Sequence, residues 1–401
     1  MKLSNLYNSF FVAACALILT TSCDISENEI KPGISFSKIY NNTSFTESYE
    51  PLDVASFNDS SYLVLAATDK WNAYLLKADT EGEFVWDLSL PEPYVNPLPQ
   101  LFKQNNNVYF VCMDEFQLGT YILQVNASGG APEVVYQNNS ITYPLAAQLT
   151  QDGGWLIQGY NRESRKTTLT KVNAGFSEEW QQEYDILEDV EERIIKHLTR
   201  TGSRLPFFNG YAQGNGNSGY YYFNGFNNYT ISLTFVNPAD GEPMGVMNGF
   251  RDLGFINAAY SLPNGNFALS KNSYGDNYLI PQIELDEKAV TSSSDLEANH
   301  FPEIDAQAPV VIKKYEVQGR EIVFYATHSK SKRIMIYAYD VADGSLLGIE
   351  YLGQTSPYEI GNITATSDGG LMVLGKTYVA GRFPRICLFK LTEEEVINII
   401  R

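Results

Sequence analysis

Apolar residues come in short unbroken runs along this chain, each introduced by a polar cluster rich in Gly, Asn or Asp. Tyr62 to Ala67 follows Asn58-Asp59-Ser60-Ser61, Val108 to Met113 follows Asn105-Asn106-Asn107, and Trp155 to Ile157 follows Asp152-Gly153-Gly154. Further runs start after Asn217, Asn264, Gln318 and Asp368. A run this short, apolar at successive positions and bounded by turn residues, predicts a strand buried on both faces. The leading clusters predict tight hairpins, because Asn, Asp and Gly tolerate the left-handed backbone such turns need.

The anchors at 59, 105, 152, 217, 264, 318 and 368 are spaced by 46, 47, 65, 47, 54 and 50 residues. A second motif recurs within the units. Lys77-Ala-Asp79 with Gly82 leads to Trp86, and Lys171-Val-Asn173 with Gly175 leads to Trp180, nine residues from Lys to Trp in both. Degenerate copies stand at Gln124-Val125-Asn126 with Gly129, Asn237 with Gly241, Asp286, and Asp340 with Gly344. Each unit therefore reads as strand A, turn, apolar strand B, variable loop, strand C, turn, strand D. Seven such units predict an all-β chain folded as a seven-bladed β-propeller. The last unit ends after its third strand, Ile386 to Leu391, whereas Ile34 to Tyr40 is an unassigned strand near the start. Phe36 and Tyr40 match the spacing of Trp180 and Tyr184, so the N-terminal strand is expected to close the final blade and remove its exposed edge.

Three segments depart from the rhythm. Glu188 to Leu198 places Val190, Ile194 and Leu198 on one side, with acidic residues early and basic ones late, and predicts a short amphipathic helix. Asp286 to Pro309 is long and polar and reads as a flexible loop. Thr392 to Glu395 is a capping box that opens a C-terminal helix.

At the N-terminus, Lys2, the apolar run Phe10 to Leu19, and Thr20-Thr21-Ser22-Cys23 form a signal-peptide pattern; the apolar run is too short to span a bilayer. Small residues ending in Cys resemble the lipobox of bacterial lipoproteins, with Thr20 where that motif usually has Leu. The resemblance implies acylation of Cys23 and attachment to the outer membrane. The acidic stretch Asp24 to Glu29 is similar to the export signals that carry Bacteroidota lipoproteins to the cell surface, which favours the surface over the periplasmic face. The expected organisation is thus signal peptide 1–22, tether 23–33, propeller 34–391 and terminal helix 392–401. The D-G-G and K-x-D-x-x-G-x-x-x-W units themselves resemble the repeats of Bacteroidota lipoprotein propellers and, more distantly, of delta-60-type and quinoprotein-like repeat families. That resemblance implies a fold and leaves the activity open.

Composition narrows the function classes. With 47 acidic against 28 basic residues, the formal charge of −19 disfavours nucleic acid and polyanionic glycans, which require a basic face. Cys112 and Cys387 sit in apolar runs of units two apart, and buried free thiols are expected there. His197, His300 and His328 occur in separate units without metal-ligand spacing, and the chain has no phosphate loop, CxxC pair, HExxH or GxSxG. No catalytic residue, metal or cofactor is implied.

In a propeller the A–B and C–D turns share one face, and the B–C loops share the other with the links between blades. The first face here carries generic turns. The second receives Trp71, Phe116, Tyr160, Arg162, Phe226, Tyr229, Tyr274, Asp276, His328, Tyr378, Arg382 and Phe383. Aromatics interleaved with polar groups suit a ligand site or a partner surface. In its bland reading, the same pattern is aromatic residues capping sheet ends. The leading functional expectation is a non-enzymatic binding or scaffold lipoprotein, holding a glycan, another small nutrient or an outer-membrane transporter on this face. The alternatives are a carbohydrate-active hydrolase or lyase on the same scaffold, and a periplasmic propeller for protein assembly.

Overall fold

The double-sided apolar character of the second strand in each unit is resolved by its neighbours on either side. The computed structural model describes residues 33–40, 47–57, 61–214, 219–251, 253–353, 357–379 and 383–401, and these form seven sheets. The signal segment, Cys23 and Arg382 lie outside the described residues.

Blade 1 contains Tyr49–Phe57, Ser61–Thr68, Ala73–Asp79 and Phe84–Ser89, paired in that order as strands A to D. Blade 2 is Leu101–Gln104, Asn107–Asp114, Thr120–Gln124 and Glu133–Asn138, and blade 3 is Pro144–Leu149, Trp155–Asn161, Lys166–Val172 and Glu178–Tyr184. Blade 4 is Phe208–Gln213, Gly219–Asn227, Thr230–Val236 and Pro243–Asn248, and blade 5 is Gly254–Ser261, Asn266–Ser273, Asp276–Glu284 and Asn299–His300. Blade 6 is Val311–Val317, Arg320–His328, Ile334–Asp340 and Leu346–Leu352. Blade 7 takes Tyr358–Ala365, Leu371–Val379 and Phe383–Leu391 from the C-terminus and Phe36–Tyr40 from the N-terminus, the last running antiparallel with Phe36 opposite Lys390 and Tyr40 opposite Ile386. The chain is a seven-bladed propeller closed by its N-terminal strand.

Each interface between adjacent blades is one hydrophobic cluster, and strand B feeds two of them. Leu63, Leu65 and Ala67 pack toward blade 2 with Phe110 and Leu123, while Tyr62, Val64 and Ala66 pack toward blade 7 with Leu374 and Leu388. Successive side chains of a strand point to opposite faces, so a strand sandwiched between two blades must be apolar throughout.

The repeat motifs also have a packing role. Gly82, Gly129 and Gly241, at φ 76°, 82° and 74°, end the C–D turns of blades 1, 2 and 4. A Cβ at each would come within 2.5, 2.9 and 2.6 Å of Phe36, Trp86 and Trp180, the strand-D aromatics of the preceding blades. Glycine is needed there both for the left-handed backbone and for the aromatic ring lying on it. Tyr40 and Tyr184 complete the match, donating through Oη to Gly82 O (2.8 Å) and Gly241 O (2.6 Å). The closing strand therefore reproduces the side-chain contacts of an ordinary strand D.

Asp286–Pro309 is not the free loop its polarity suggests. Val290–Ser292 adds a parallel fifth strand to blade 4, and Asn299–His300 is strand D of blade 5. Lys271 Nζ fastens the stretch between them by donating to Ser293 O (3.2 Å) and to Leu296 O. Edge strands offer unpaired backbone groups to any extended segment, whatever its side chains. Two α-helices complete the described fold, α1 (Glu191–Leu198) and α2 (Glu393–Ile399). Helix α2 starts at the Thr392/Glu395 capping box and seats Val396 and Ile399 in the cluster of blades 6 and 7. Cys112 and Cys387 are free and buried, one in the cluster of blades 1 and 2, the other in that of blades 6 and 7.

Candidate functional site

Strands A of successive blades touch one another around the axis of the ring, so the links that feed them converge at one end of it. The longest link, between blades 3 and 4, carries α1 across that end. Val190, Ile194 and Leu198 bury the apolar side of the helix in a cluster with Tyr143, Leu145, Tyr160 and Phe226. Its polar side is pinned by Arg162 Nε to Glu191 Oε1 at 2.8 Å, by Tyr143 Oη to the same oxygen at 3.3 Å, and by the Arg193 guanidinium 4.9 Å from the Phe226 ring.

A cavity of about 330 Å³ opens where α1 and the links meet. Its walls include Pro97 and Leu98 from the link into blade 2, Leu198, Phe207 and Phe208 around α1, Phe255 and Ala259 from blade 5, and Ala308 to Lys313 from blade 6. The ionisable side chains lining it are His197, Arg200, Arg204 and Lys313; among the described residues no Asp or Glu does so. His197 Nδ1 accepts from Leu205 N (2.9 Å), and its ring meets Phe207 edge-on at 5.0 Å. Burial, with Arg204 and Arg200 adding, pushes its pKa down to about 3, so the ring is neutral and carries its proton on Nε2. Arg200 donates from Nη1 to Leu198 O (3.0 Å) and from Nη2 to Pro97 O (3.4 Å). Burial and Arg204 lower its pKa to about 10.

A chain of ion pairs borders the same end of the ring. Arg204 pairs with Glu50, Glu50 with Lys376 (2.9 Å), Lys376 with Glu359 (2.7 Å), Glu359 with Lys332 (3.0 Å) and Lys332 with Asp305 (3.0 Å). It ties the α1 link to blades 1, 7 and 6. Burial works to raise the Glu359 carboxyl, but Lys376 and Lys332 outweigh it and hold the pKa at about 2. Asp53 lies apart, accepting from Val54 N (2.8 Å) and Leu101 N (2.6 Å); burial lifts it to about 6 against the pull of Lys313.

The aromatic B–C face divides into a rim and a set of packing residues. Trp71, Phe116, Tyr229 and Tyr274 are exposed, at 36, 72, 64 and 73 %. Trp71 and Tyr274 hold φ of 66° and 52°, positions where Gly or Asn would sit without strain. Tyr160 and Phe226 are buried beneath α1, because the inserted helix needs an apolar floor. Arg162 faces α1 through Glu191. His328 is buried too, its Nδ1 accepting from Ile360 N (3.3 Å), and burial with Lys332 lowers its pKa to about 4. Tyr378 Oη donates to Glu359 at 3.4 Å, joining the ion-pair chain. None of these expected face residues lines the cavity. The residues that do, Arg200, Arg204 and Lys313, form no motif; the only sequence signal was the length of the link between blades 3 and 4.

Fold and site together define a propeller with a roofed axial funnel. Neither a protein-family model nor a curated protein matches the chain. Among solved structures it is similar to the β-propeller domain of the Trilobed protease from Pyrococcus furiosus (10 % identity, 86 % of this chain and 98 % of that one, TM-score 0.43). It is also similar to YCF48 from Cyanidioschyzon merolae (10 %, 88 % and 98 %, TM-score 0.47) and to a Dyadobacter fermentans protein of unknown function (10 %, 89 % and 97 %, TM-score 0.45). Likeness at this distance says nothing of activity.

Proposed function

We propose that this chain is a non-enzymatic binding propeller that holds a small nutrient in the funnel under α1, and that it works as a lipoprotein anchored through Cys23 at the outer-membrane surface. The observation that carries the binding reading is the cavity itself, mostly apolar, with a few polar groups, and at the low end of the size range of ligand pockets, about 300–1,000 Å³. Catalysis by proton transfer needs a group poised to titrate within reach of substrate. In the described lining His197 is the group of that type, and it is held neutral with Nδ1 already occupied.

A second reading, docking of an outer-membrane transporter on the rim, is favoured by Trp71 and Tyr274. These bulky exposed side chains are kept on left-handed backbone.

A fragment collection screened against the full chain by thermal shift and calorimetry tests the first reading. Binders are expected to be returned chemically unchanged and to be lost in Ala259→Phe, which fills the cavity while leaving the rim intact. Hits that survive Ala259→Phe, or that are turned over, overturn it. The anchor is tested in the same strains: Cys23→Ala is expected to move the protein from the membrane to the soluble fraction, and protease added to intact cells to cleave the native form.

A further inference from the structure

The chain carries 47 acidic and 28 basic residues, so a patch drawn at random from it would be acidic. The funnel is the reverse: Arg200, Arg204 and Lys313 line it and, among the described residues, no carboxylate does. Arg204 is matched by Glu50. Arg200 has no carboxylate partner within ion-pair distance among the described residues and gives two donors to backbone carbonyls; Glu50, paired with Arg204 and Lys376, reaches it only through its field. Lys313, half-buried in the wall, has no hydrogen bond or ion pair among them. Asp53, which acts on Lys313 through its field, has its oxygens engaged by two backbone amides. A confined cation without a contacting counter-ion is costly, because the water withdrawn from it is only partly replaced.

The backbone at Arg200 adds an independent observation. Helix α1 ends in a Schellman motif: Arg200 N donates to His197 O (3.2 Å) and Thr201 N to Lys196 O (3.0 Å). This puts Arg200 at φ 55°, in the position that glycine fills in most such caps. A glycine there would relax the backbone and remove a poorly matched charge, yet the position holds the longest cationic side chain. Of the fourteen described non-glycine residues with positive φ, Arg200 is the one whose charged side chain lines the cavity.

We propose that the funnel binds a small organic anion, a carboxylate or phosphate ester on an apolar body, with Arg200 and Lys313 supplying its counter-charge. This deepens the binding reading above and rests on it. The body lies against Leu98, Phe207 and Phe255.

The experiment uses the full chain and three matched pairs: mandelate with mandelamide, indole-3-acetate with indole-3-acetamide, and phenyl phosphate with phenol. Calorimetry is expected to show at least one acid bound and its neutral partner weaker by about 30-fold or more, the usual effect of losing one side of a buried charge pair. The pair that responds separates carboxylate from phosphate. Arg200→Gly is expected to abolish this preference while holding or raising Tm, and Lys313→Met to weaken it. Neutral partners binding as well as the acids overturn the anion inference and leave the cavity reading intact. Arg200→Gly lowering Tm without touching acid binding overturns the assignment of Arg200 to the anion and marks it as a structural cap. If no acid binds, the inference falls, and the Ala259→Phe fragment screen decides separately whether the cavity reading falls with it.

Discussion

His197 and His328 are buried as neutral rings beside cations, and each hydrogen-bonds a backbone amide through Nδ1. Their pKa values, about 3 and about 4, lie below the ordinary 6.5. Between those values and 6.5 the unfolded chain binds more protons than the folded one, so folding stability is lost as pH falls through that window. Asp53 has the opposite sign. Raised from 3.8 to about 6, it is protonated earlier in the fold than in the unfolded chain and gains stability as pH falls. The two histidines oppose Asp53, and the lowered carboxylates Glu359 and Asp152 add to the histidines at the acid end, so Tm is expected to drop between pH 7 and pH 4.5. His328→Gln should flatten the fall and Asp53→Asn should steepen it, both read by calorimetry across that range; an unchanged slope in His328→Gln removes the histidine from the account.

At the scale of elements, α1 shows how tertiary contact makes a helix. Eight residues are too few to hold a helix alone in water, so its stability comes from the floor of Tyr160, Phe226 and Leu145. Ile194 is fully buried there. Ile194→Ala is expected to destabilise the chain by about 2–4 kcal/mol and to speed amide exchange in 191–201 before the blades respond. Protection unchanged in that segment would mean that α1 is held by its ion pairs instead. The segment Asp286–Pro309 teaches the converse: its strands are recruited by the open edges of blades 4 and 5, and backbone pairing leaves little trace in side-chain pattern.

For the whole molecule, closure is the decisive event. Blade 7 is three strands from one terminus and one from the other, and Phe36 and Tyr40 lock it to blade 1 at Gly82. Deleting residues 34–40 exposes the Phe383–Leu391 edge and removes that lock. The truncated chain is expected to unfold at lower urea, by roughly 3 kcal/mol or more, and to self-associate through the bare edge. Urea titration and light scattering check this; unchanged stability and a monomeric state would show that the ring does not depend on the closing strand.

The blade count, the strand-B runs, most turn glycines and the closing strand were legible in the sequence because each follows a local rule shared between units; the turn glycines hold left-handed backbone in blades 1, 2, 4 and 6, whereas in blade 3 that position falls on Phe176 and not on Gly175. Phe36 and Tyr40 could be matched to Trp180 and Tyr184 without coordinates, since equivalent strands obey the same local rule. The B–C loops were assigned to one face for the same reason, but which of their aromatics stay exposed was not legible: Tyr160 and Phe226 were covered by a helix from a different part of the chain. The funnel chemistry belongs entirely to tertiary structure. Glu50, Arg204, Lys332, Glu359 and Lys376 come from blade 1, the α1 link, blade 6 and two strands of blade 7, and Arg200 and Lys313 line one cavity that exists only once the ring has closed. Local spacing decides how a chain turns and pairs. Charge gathered on an axis is decided by where the blades meet around the ring, and no local pattern encodes that point.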